Sequence, residues 1–182
     1  KELAVCSDKN IYKNINKTEK VRKLKKKKHK LQRKISRKYN KNRKGGRYCK
    51  TKNILKSEKQ RLKINHRLTN IRHNYLHHVT SEIISRKPKF IVLEDLNVKG
   101  MMKNKHLAGA IQEQCFYEFY RQTEYKCCWN NIEFITADRY YPSSKICCCC
   151  GNIKKDLKLK DRTYICAECG NITDRDYQAS VN

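Results

Sequence analysis

Two closely spaced cysteine pairs in the last quarter of the chain constrain its fold more than any other feature. Cys147 and Cys150 form one Cys-x-x-Cys pair, Cys166 and Cys169 form the other, and 15 residues separate the pairs. This spacing is typical of a zinc ribbon, in which each pair forms one knuckle around a tetrahedral ion. Four protein ligands leave no position open for water, so such a zinc is structural. We therefore predict a four-cysteine zinc ribbon, with four buried free cysteines as the alternative.

A short sequence repeat after each cysteine pair supports this prediction. Both second cysteines are followed by Gly-Asn-Ile, and the glycine permits the backbone turn toward a metal. Cys148 and Cys149 lie between the first two ligands, but only Cys147 has the two-residue gap that mirrors the second knuckle, so we interpret them as spare thiols. Eleven cysteines, an odd number with metal-ligand spacing, favour a reducing, intracellular location.

The charge of the chain points to a polyanionic partner. Lys and Arg number 44 against 17 Asp and Glu, which gives a formal charge of +27. Such an excess repels itself unless a polyanion neutralises it, and nucleic acid is the first candidate. The sequence has no apolar run near the roughly 20 residues needed to span a bilayer, so we predict no membrane partner.

The basic residues are concentrated in one amphipathic segment. Residues 20–50 contain 17 Lys or Arg and no Asp or Glu, while apolar residues recur at helical spacing. A glycine-containing loop at 40–53 and a second periodic segment from Ile64 to Ile83 complete a predicted antiparallel helical hairpin. An ordinary hairpin with a solvated charged face is the alternative to phosphate binding. The predicted nucleic-acid-binding residues are Lys23, Lys26, Lys27, Lys30, Arg33, Lys34 and Arg37.

The remaining apolar patterns predict an α/β domain. The chain opens with hairpin-like residues around a turn at 7–10. The apolar run 90–93 is expected to be a strand buried on both faces of a mixed sheet. Residues 107–129 are predicted to form one helix, and residues 132–135 a further strand.

A few acids stand at the ends of these elements in an otherwise basic chain. They are Glu94, Asp95, Asp138, Asp174 and Asp176. Taken singly, each pattern is more typical of a turn, a helix cap or a salt bridge than of a catalytic group.

Three segments together resemble a known family. They are the run Ile-Val-Leu-Glu-Asp-Leu-Asn-Val-Lys-Gly-Met at 91–101, Tyr-Pro-Ser-Ser-Lys at 141–145 and Asp-Arg-Asp at 174–176. In this order they are similar to the OrfB/TnpB family of transposon-associated proteins, which is related to type V CRISPR nucleases. The resemblance implies an RNase H-like (RuvC-like) fold: a mixed sheet with a basic helical hairpin and an inserted four-cysteine zinc ribbon. It also implies an RNA-guided DNA endonuclease, with DNA and a guide RNA as partners.

The resemblance further implies a Mg²⁺ site. Carried over by position, Glu94 is similar to the second catalytic carboxylate of the family and Asp176 to the third. Clustered carboxylates of this kind hold the Mg²⁺ ions that bridge a scissile phosphate. The family places its first carboxylate in a Gly-Ile-Asp-x-Gly motif, which has no equivalent here, and Asp8 lies too late in the strand order to replace it. We therefore expect an N-terminally truncated chain with an incomplete metal site.

These observations define the expected organisation and function. We predict a RuvC-like domain at 1–144 that includes the hairpin at 18–86, a zinc ribbon at 145–171 and the start of the final catalytic helix at 172–182. The full-length form is expected to cut DNA in mobile-element biology, with Mg²⁺ catalytic and zinc structural. The alternative is a non-catalytic nucleic-acid-binding remnant or a structural RNA-binding protein. A protein-interaction ribbon with a basic localisation signal would leave Glu94 and Asp176 without a role.

Overall fold

The computed structural model describes residues 2–158 and 160–182. Helices and short strands alternate along it, as the predicted α/β class requires. The strands are β1 (Ala4–Val5), β2 (Ile11–Tyr12), β3 (Arg43–Lys44), β4 (Arg47–Tyr48), β5 (Phe90–Glu94), β6 (Glu133–Ala137), β7 (Thr163–Ile165) and β8 (Ile172–Asp174). The helices are α1 (Glu19–Lys41), α2 (Lys52–Ser85), α3 (Val98–Met102), α4 (Lys105–Gln114), α5 (Phe116–Trp129) and α6 (Arg175–Val181), with a 3-10 turn at Ile15–Lys17.

The predicted helical hairpin is present. Helix α1 packs against the first half of α2, and buried apolar side chains such as Val21, Ile35 and Ile54 form the seam between them. The Thr51 side chain accepts a hydrogen bond from the Ile54 N–H and so caps the start of α2. In place of the simple loop expected between the helices, a short β3–β4 hairpin turns through two glycines of positive φ. We call residues 19–68 the helical arm.

The second half of α2 lies in the main core. Leu76 and Val79 of α2 pack with Tyr12 of β2 and Phe119 of α5. Lys126 of α5 is buried here, and its ammonium group donates to the carbonyl oxygen of His77 and to the hydroxyls of Thr80 and Ser81 at 2.7 to 3.0 Å. This core fixes the helices against the strands that carry the acids.

Strand β5 does not have the predicted surroundings. It pairs in parallel only with β6 among the described residues, and the crossover between the two strands contains α3, α4 and α5. Ile91 and Leu93 pack against the core, whereas Phe90 and Val92 are 52% and 47% exposed. The expectation of a strand buried on both faces is therefore wrong, because no described element covers its outer face.

The helix predicted at 107–129 is also divided in two. Cys115 adopts a left-handed conformation with φ of 54°, which ends α4 and starts α5 in a new direction. Tertiary contacts hold this break: the Glu113 carboxylate pairs with Lys25 of α1 and Arg72 of α2, while α5 packs along the second half of α2. Apolar periodicity alone does not report such a break. None of the described helices is long and apolar enough to cross a membrane.

Candidate metal centre and carboxylate edge

The four predicted ligand cysteines come together at one point. Their sulfur atoms all lie within 4.8 Å of one another, with Cys147 at 3.6 Å from Cys169 and Cys150 at 3.5 Å from Cys166. A disulfide would require a sulfur separation near 2.05 Å. Four sulfurs placed tetrahedrally at about 2.3 Å from a zinc ion are separated by roughly 3.8 Å. The arrangement therefore fits a four-thiolate metal site.

The two knuckles share one hydrogen-bond pattern. The carbonyl of Cys147 accepts from the N–H of Gly151 at 2.8 Å, and that of Cys166 accepts from Gly170 at 3.2 Å. The N–H of each first cysteine donates to the carbonyl of the asparagine after the glycine, at 2.8 and 2.9 Å. Both glycines have positive φ, 74° and 70°, which favours glycine at these turns. The sequence repeat thus encodes two equivalent half-sites.

Backbone N–H groups stabilise the charged form of two of the thiols. The N–H of Cys150 is the largest influence that lowers the pKa of Cys147, to about 6, and the N–H of Cys169 lowers the pKa of Cys166 in the same way. These two first cysteines are buried, at 1% and 3% exposed, whereas the second cysteines face solvent. A metal ligand must be deprotonated, so this bonding favours the metal-binding form of Cys147 and Cys166, whereas the pKa values of Cys150 and Cys169 are raised.

The neighbouring thiols take other roles. The Cys148 thiol donates to the side-chain oxygen of Gln178 on α6 at 3.2 Å, and Cys149 is exposed. Neither belongs to the four-sulfur group. Tyr164 of β7 is fully buried beside Cys147 and Cys166 and forms the small core of this segment.

The acids after β5 and β6 lie at one edge of the parallel pair. Glu94 ends β5, and its carboxylate accepts a hydrogen bond of 3.0 Å from the Ser143 hydroxyl in the loop after β6. Asp95 pairs with Arg139 at 2.6 Å across the two strand ends. Asp138 instead accepts from a backbone N–H within its own turn. The sequence did not single out Ser143 as a partner of Glu94, although it lies within the 141–145 segment of the resemblance.

Asp176 lies in the first turn of α6. Asp174 caps this helix by accepting from the N–H groups of Asp176 and Tyr177 at 2.9 and 3.0 Å. The carboxylate of Asp176 is held by Arg175 at 3.2 Å and Arg162 at 3.5 Å, two partners that sequence reasoning missed. The end of the same helix is tied to the Glu94 side of the molecule, because the Asn182 side chain donates to the Ser143 carbonyl at 2.8 Å.

The carboxylates do not form a metal cluster of their own among the described residues. In the described part of the chain, one group of three or more potential metal ligands comes together, and it consists of the four cysteines. Neither Glu94 nor Asp176 belongs to a group of three or more potential ligands among the described residues, and Asp8 pairs with Arg86 and accepts from the Asn10 N–H. Their role as Mg²⁺ ligands stays a prediction.

The predicted nucleic-acid-binding residues share the exposed surface of α1. All seven are exposed, and only Lys23 forms an ion pair within the described structure, with Glu19 at 2.7 Å. Three other lysines of the helix point inward and bond to neighbouring elements: Lys25, Lys28 and Lys38. An open depression of about 370 Å³ on this surface is lined by Lys26, His29, Lys30 and Arg33. The structure thus separates structural cations from cations free to meet phosphate.

The fold and the site define an α/β protein whose C-terminal part carries a four-cysteine cluster that could hold a metal ion, next to an acid-bearing helix. A family model described as "Cas12f1-like, TNB domain" matches residues 116–182. A Streptomyces pristinaespiralis protein provisionally named an RNA-guided DNA endonuclease is 35% identical over 130 residues, which are 71% of this chain and 32% of that protein. InsQ of Escherichia coli K12, named in the same provisional way, is 29% identical over 91% of this chain and 41% of its own length.

A solved structure has the same fold. The protein in a cryo-EM structure of a Cas12f1–sgRNA–target DNA complex superposes with a TM-score of 0.59 at 16% identity, over 94% of this chain and 42% of that one. These comparisons support the resemblance of the chain to the OrfB/TnpB family. It spans only about a third to two fifths of the length of these curated relatives.

Proposed function

We propose that this chain is the RuvC-like nuclease portion of an RNA-guided DNA endonuclease of the TnpB type. The observation that carries the proposal is the placement of Glu94. It ends a strand of a parallel pair, a serine from the loop after the neighbouring strand holds its carboxylate, and the same loop leads through the four-cysteine cluster to Asp176. Acids at the carboxyl ends of adjacent parallel strands share one edge of the sheet, where a phosphate can approach them.

The proposal includes the finer architecture. An RNase H-like domain that includes the helical hairpin at 18–86 would occupy residues 1–144, a zinc ribbon residues 145–171 and the start of the last catalytic helix residues 172–182. The guide RNA and DNA target are proposed as partners because the relatives are named as RNA-guided DNA endonucleases and the solved neighbour is a complex with both. Zinc would be structural, since all four of its positions are filled by sulfur.

Each residue of the proposed site has a definable task. Glu94 and Asp176 would hold Mg²⁺ together with a further carboxylate, and Mg²⁺ supplies charge stabilisation at a scissile phosphate. Ser143 orients Glu94 by donating its hydroxyl proton to one carboxylate oxygen. Arg162 and Arg175 hold the Asp176 carboxylate in place and offset its charge. The four cysteines fix the segment that ends at α6, and so place Asp176.

The proposal is tested by measuring DNA cleavage by the protein expressed from the complete reading frame that encodes this chain. The RNA that copurifies with the protein should direct Mg²⁺-dependent cutting of a matching DNA, and Glu94→Gln should lower the rate by about 10²-fold or more because a metal ligand is lost. Glu133→Gln is the matched control, since Glu133 is exposed at the opposite end of the neighbouring strand. Unchanged cutting by Glu94→Gln would refute the assignment.

A non-catalytic nucleic-acid-binding protein is the second candidate. It is favoured by one observation: neither Glu94 nor Asp176 belongs to a group of three or more potential metal ligands among the described residues, and Asp176 already has two arginine partners. This candidate predicts binding of duplex DNA without cleavage in Mg²⁺. Its affinity should fall steeply with salt, by about 0.9 in log–log slope for each phosphate neutralised. Cutting that depends on Glu94 would exclude it.

A further inference from the structure

Helix α2 carries a second row of cations that the sequence patterns did not single out. Five residues are spaced by four, three, four and four positions, which places them on one face of the helix. They are Lys52, Lys56, Lys59, Lys63 and Arg67. All five are exposed, and none forms an ion pair with another described residue. We call this row the α2 stripe.

The α2 stripe points away from α1. The side of α2 that meets α1 is marked by buried Ile54, by Ser57, which accepts from Lys38, and by Glu58, which accepts from Tyr39. At roughly 100° of rotation per residue, the five cations are centred about 170° from this side. They therefore occupy the outer flank of the helical arm.

The predicted binding residues of α1 form the opposite flank. Lys28, Lys38 and Tyr39 mark the side of α1 that meets α2, since their side chains bond to α2 residues. The seven cations from Lys23 to Arg37, the α1 stripe, are centred roughly 140° from that side. Because the two helices lie side by side, the two stripes face away from each other. The arm is thus apolar in its seam and basic on both flanks.

Little on the arm offsets this charge. The arm contains two acids: Glu19, which pairs with Lys23, and Glu58, which is bonded to Tyr39 and lies 3.8 Å from Lys50. Lys25 bonds to Glu113 outside the arm. The other side-chain hydrogen bonds and ion pairs of the described arm residues up to Lys63 join residues within the arm, so both flanks are open to a partner. Apart from Lys23, the cations of the two stripes have no ion-pair partner among the described residues, so they repel one another unless polyanions neutralise them.

The dimensions fit nucleic-acid backbones. Each stripe extends roughly 21–22 Å along its helix at 1.5 Å per residue, about two thirds of a duplex turn of 34 Å. Duplex DNA carries one charge per about 1.7 Å, so phosphates are dense enough to meet every cation of a stripe. A stiff duplex that lies along one flank cannot also reach the other, because the arm stands between them.

We propose that the helical arm bridges two nucleic-acid segments, one along the α1 stripe and the other along the α2 stripe. The proposal rests on the proposed function, in which the protein holds a guide RNA and a DNA target at once. Both flanks would bind the phosphate backbone of a nucleic acid, and neither would need to recognise particular bases. The α2 stripe is therefore a second binding site, separate from the α1 site that the sequence predicted.

A two-duplex capture assay with the 182-residue chain tests the bridge. A biotinylated 20-bp DNA duplex is immobilised, the chain is added at limiting concentration, and recovery of a fluorescent 20-bp RNA duplex, or of a fluorescent DNA duplex in a parallel arm, is measured. The wild type should recover the second duplex. Changing the five α2-stripe residues to Gln should keep binding of the first duplex and lower recovery of the second at least about fivefold. Changing the seven α1-stripe residues to Gln should likewise keep binding of one duplex and lower recovery of the second at least about fivefold.

The control removes the same charge elsewhere. Five exposed lysines outside the arm, changed to Gln, should leave recovery near the wild-type value: Lys89, Lys99, Lys103, Lys105 and Lys155. Gln has a helix propensity close to that of Lys, and circular dichroism verifies that each variant is folded. Light scattering verifies that the chain is monomeric, so that a dimer cannot account for the bridge.

The outcomes separate the two proposals. For duplex DNA, removing the α2 stripe should also reduce the slope of log affinity against log salt by up to about 4.5 if that flank is occupied. Recovery of the second duplex that is unchanged in the α2 variant overturns the bridge. A wild type that binds one duplex and never two also overturns it, while leaving nucleic-acid binding intact. A wild type that binds no duplex at low salt refutes both the bridge and the proposed function.

Discussion

Replacing Cys166 with serine is expected to release the metal from the four-cysteine cluster and to unfold residues 145–171. Cys166 is buried, its sulfur lies 3.5 Å from that of Cys150, and it packs against Tyr164. Serine keeps the size of the side chain but supplies a hydroxyl, which is not among the usual ligands of zinc. The expected result is a site with three ligands, in which the second knuckle has lost one of its two metal-binding cysteines.

The magnitude follows from the equivalence of the two knuckles. Structural zinc in small domains contributes about 10–16 kcal/mol of apparent binding free energy. Because the two half-sites have the same hydrogen-bond pattern, one ligand is assigned roughly a quarter of this, about 2.5–4 kcal/mol, or a factor of about 60 to 700 in affinity. Among the described residues of this segment, the core consists of three buried side chains, Cys147, Tyr164 and Cys166, and a core of this size is too small to stay folded without the ion.

Competition with a zinc chelator, followed by atomic absorption, measures this effect. The wild type should retain one zinc per chain at a chelator concentration that strips Cys166→Ser, and limited proteolysis should then cut the variant within residues 145–171. Cys147→Ser should behave in the same way, whereas Cys149→Ser, an exposed cysteine outside the cluster, should keep its zinc. The same zinc content and the same competition midpoint in Cys166→Ser and the wild type would refute the assignment.

Three further predictions concern stability. The hydrogen bond from Arg121 is the largest influence that lowers the pKa of Glu118, from 4.5 to about 2, so its stabilising effect should be complete above pH 4.5 and disappear as the pH falls toward 2; the Tm difference between wild type and Glu118→Gln should shrink over that range, and a constant difference would contradict this. Lys126→Met should cost about 1–3 kcal/mol in urea unfolding, because it leaves buried hydroxyl and carbonyl partners without their donor; an unchanged midpoint would count against the buried network. Gly170→Ala, at φ of 70°, should cost about 1–2 kcal/mol, whereas Gly109→Ala, with open space around its α-carbon within α4, should stabilise by about 0.5–1 kcal/mol; equal effects of the two changes on thermal unfolding would refute the backbone argument.

Local patterns in the sequence predicted the elements that depend on local physics. The four-cysteine spacing and the repeated Gly-Asn-Ile predicted the knuckles, because ligand spacing and glycine turns act over a few residues. Apolar residues at helical spacing likewise predicted the helical arm and the exposure of its seven α1 cations. The resemblance to the OrfB/TnpB family, carried by three short segments, agreed with the comparisons.

Features that depend on distant contacts were not predictable in this way. The exposure of Phe90 and Val92 depends on which elements cover β5. An apolar run has the same sequence pattern whether one face or both faces of the strand are buried. The break at Cys115 is held by ion pairs of Glu113 to two helices that lie far away in sequence. No pattern within residues 107–129 contains that information.

The sequence by itself determined a four-cysteine cluster with metal-ligand spacing and a strongly basic helical hairpin, because ligand spacing and charge can be read from the order of residues along the chain. Only the tertiary structure decided which side chains hold the acids, Ser143 for Glu94 and two arginines for Asp176. It also decided that the cations of α1 and α2 lie on opposite flanks of the arm. The packing of one helix against the other sets these directions, and periodicity alone leaves the relative rotation of two helices open.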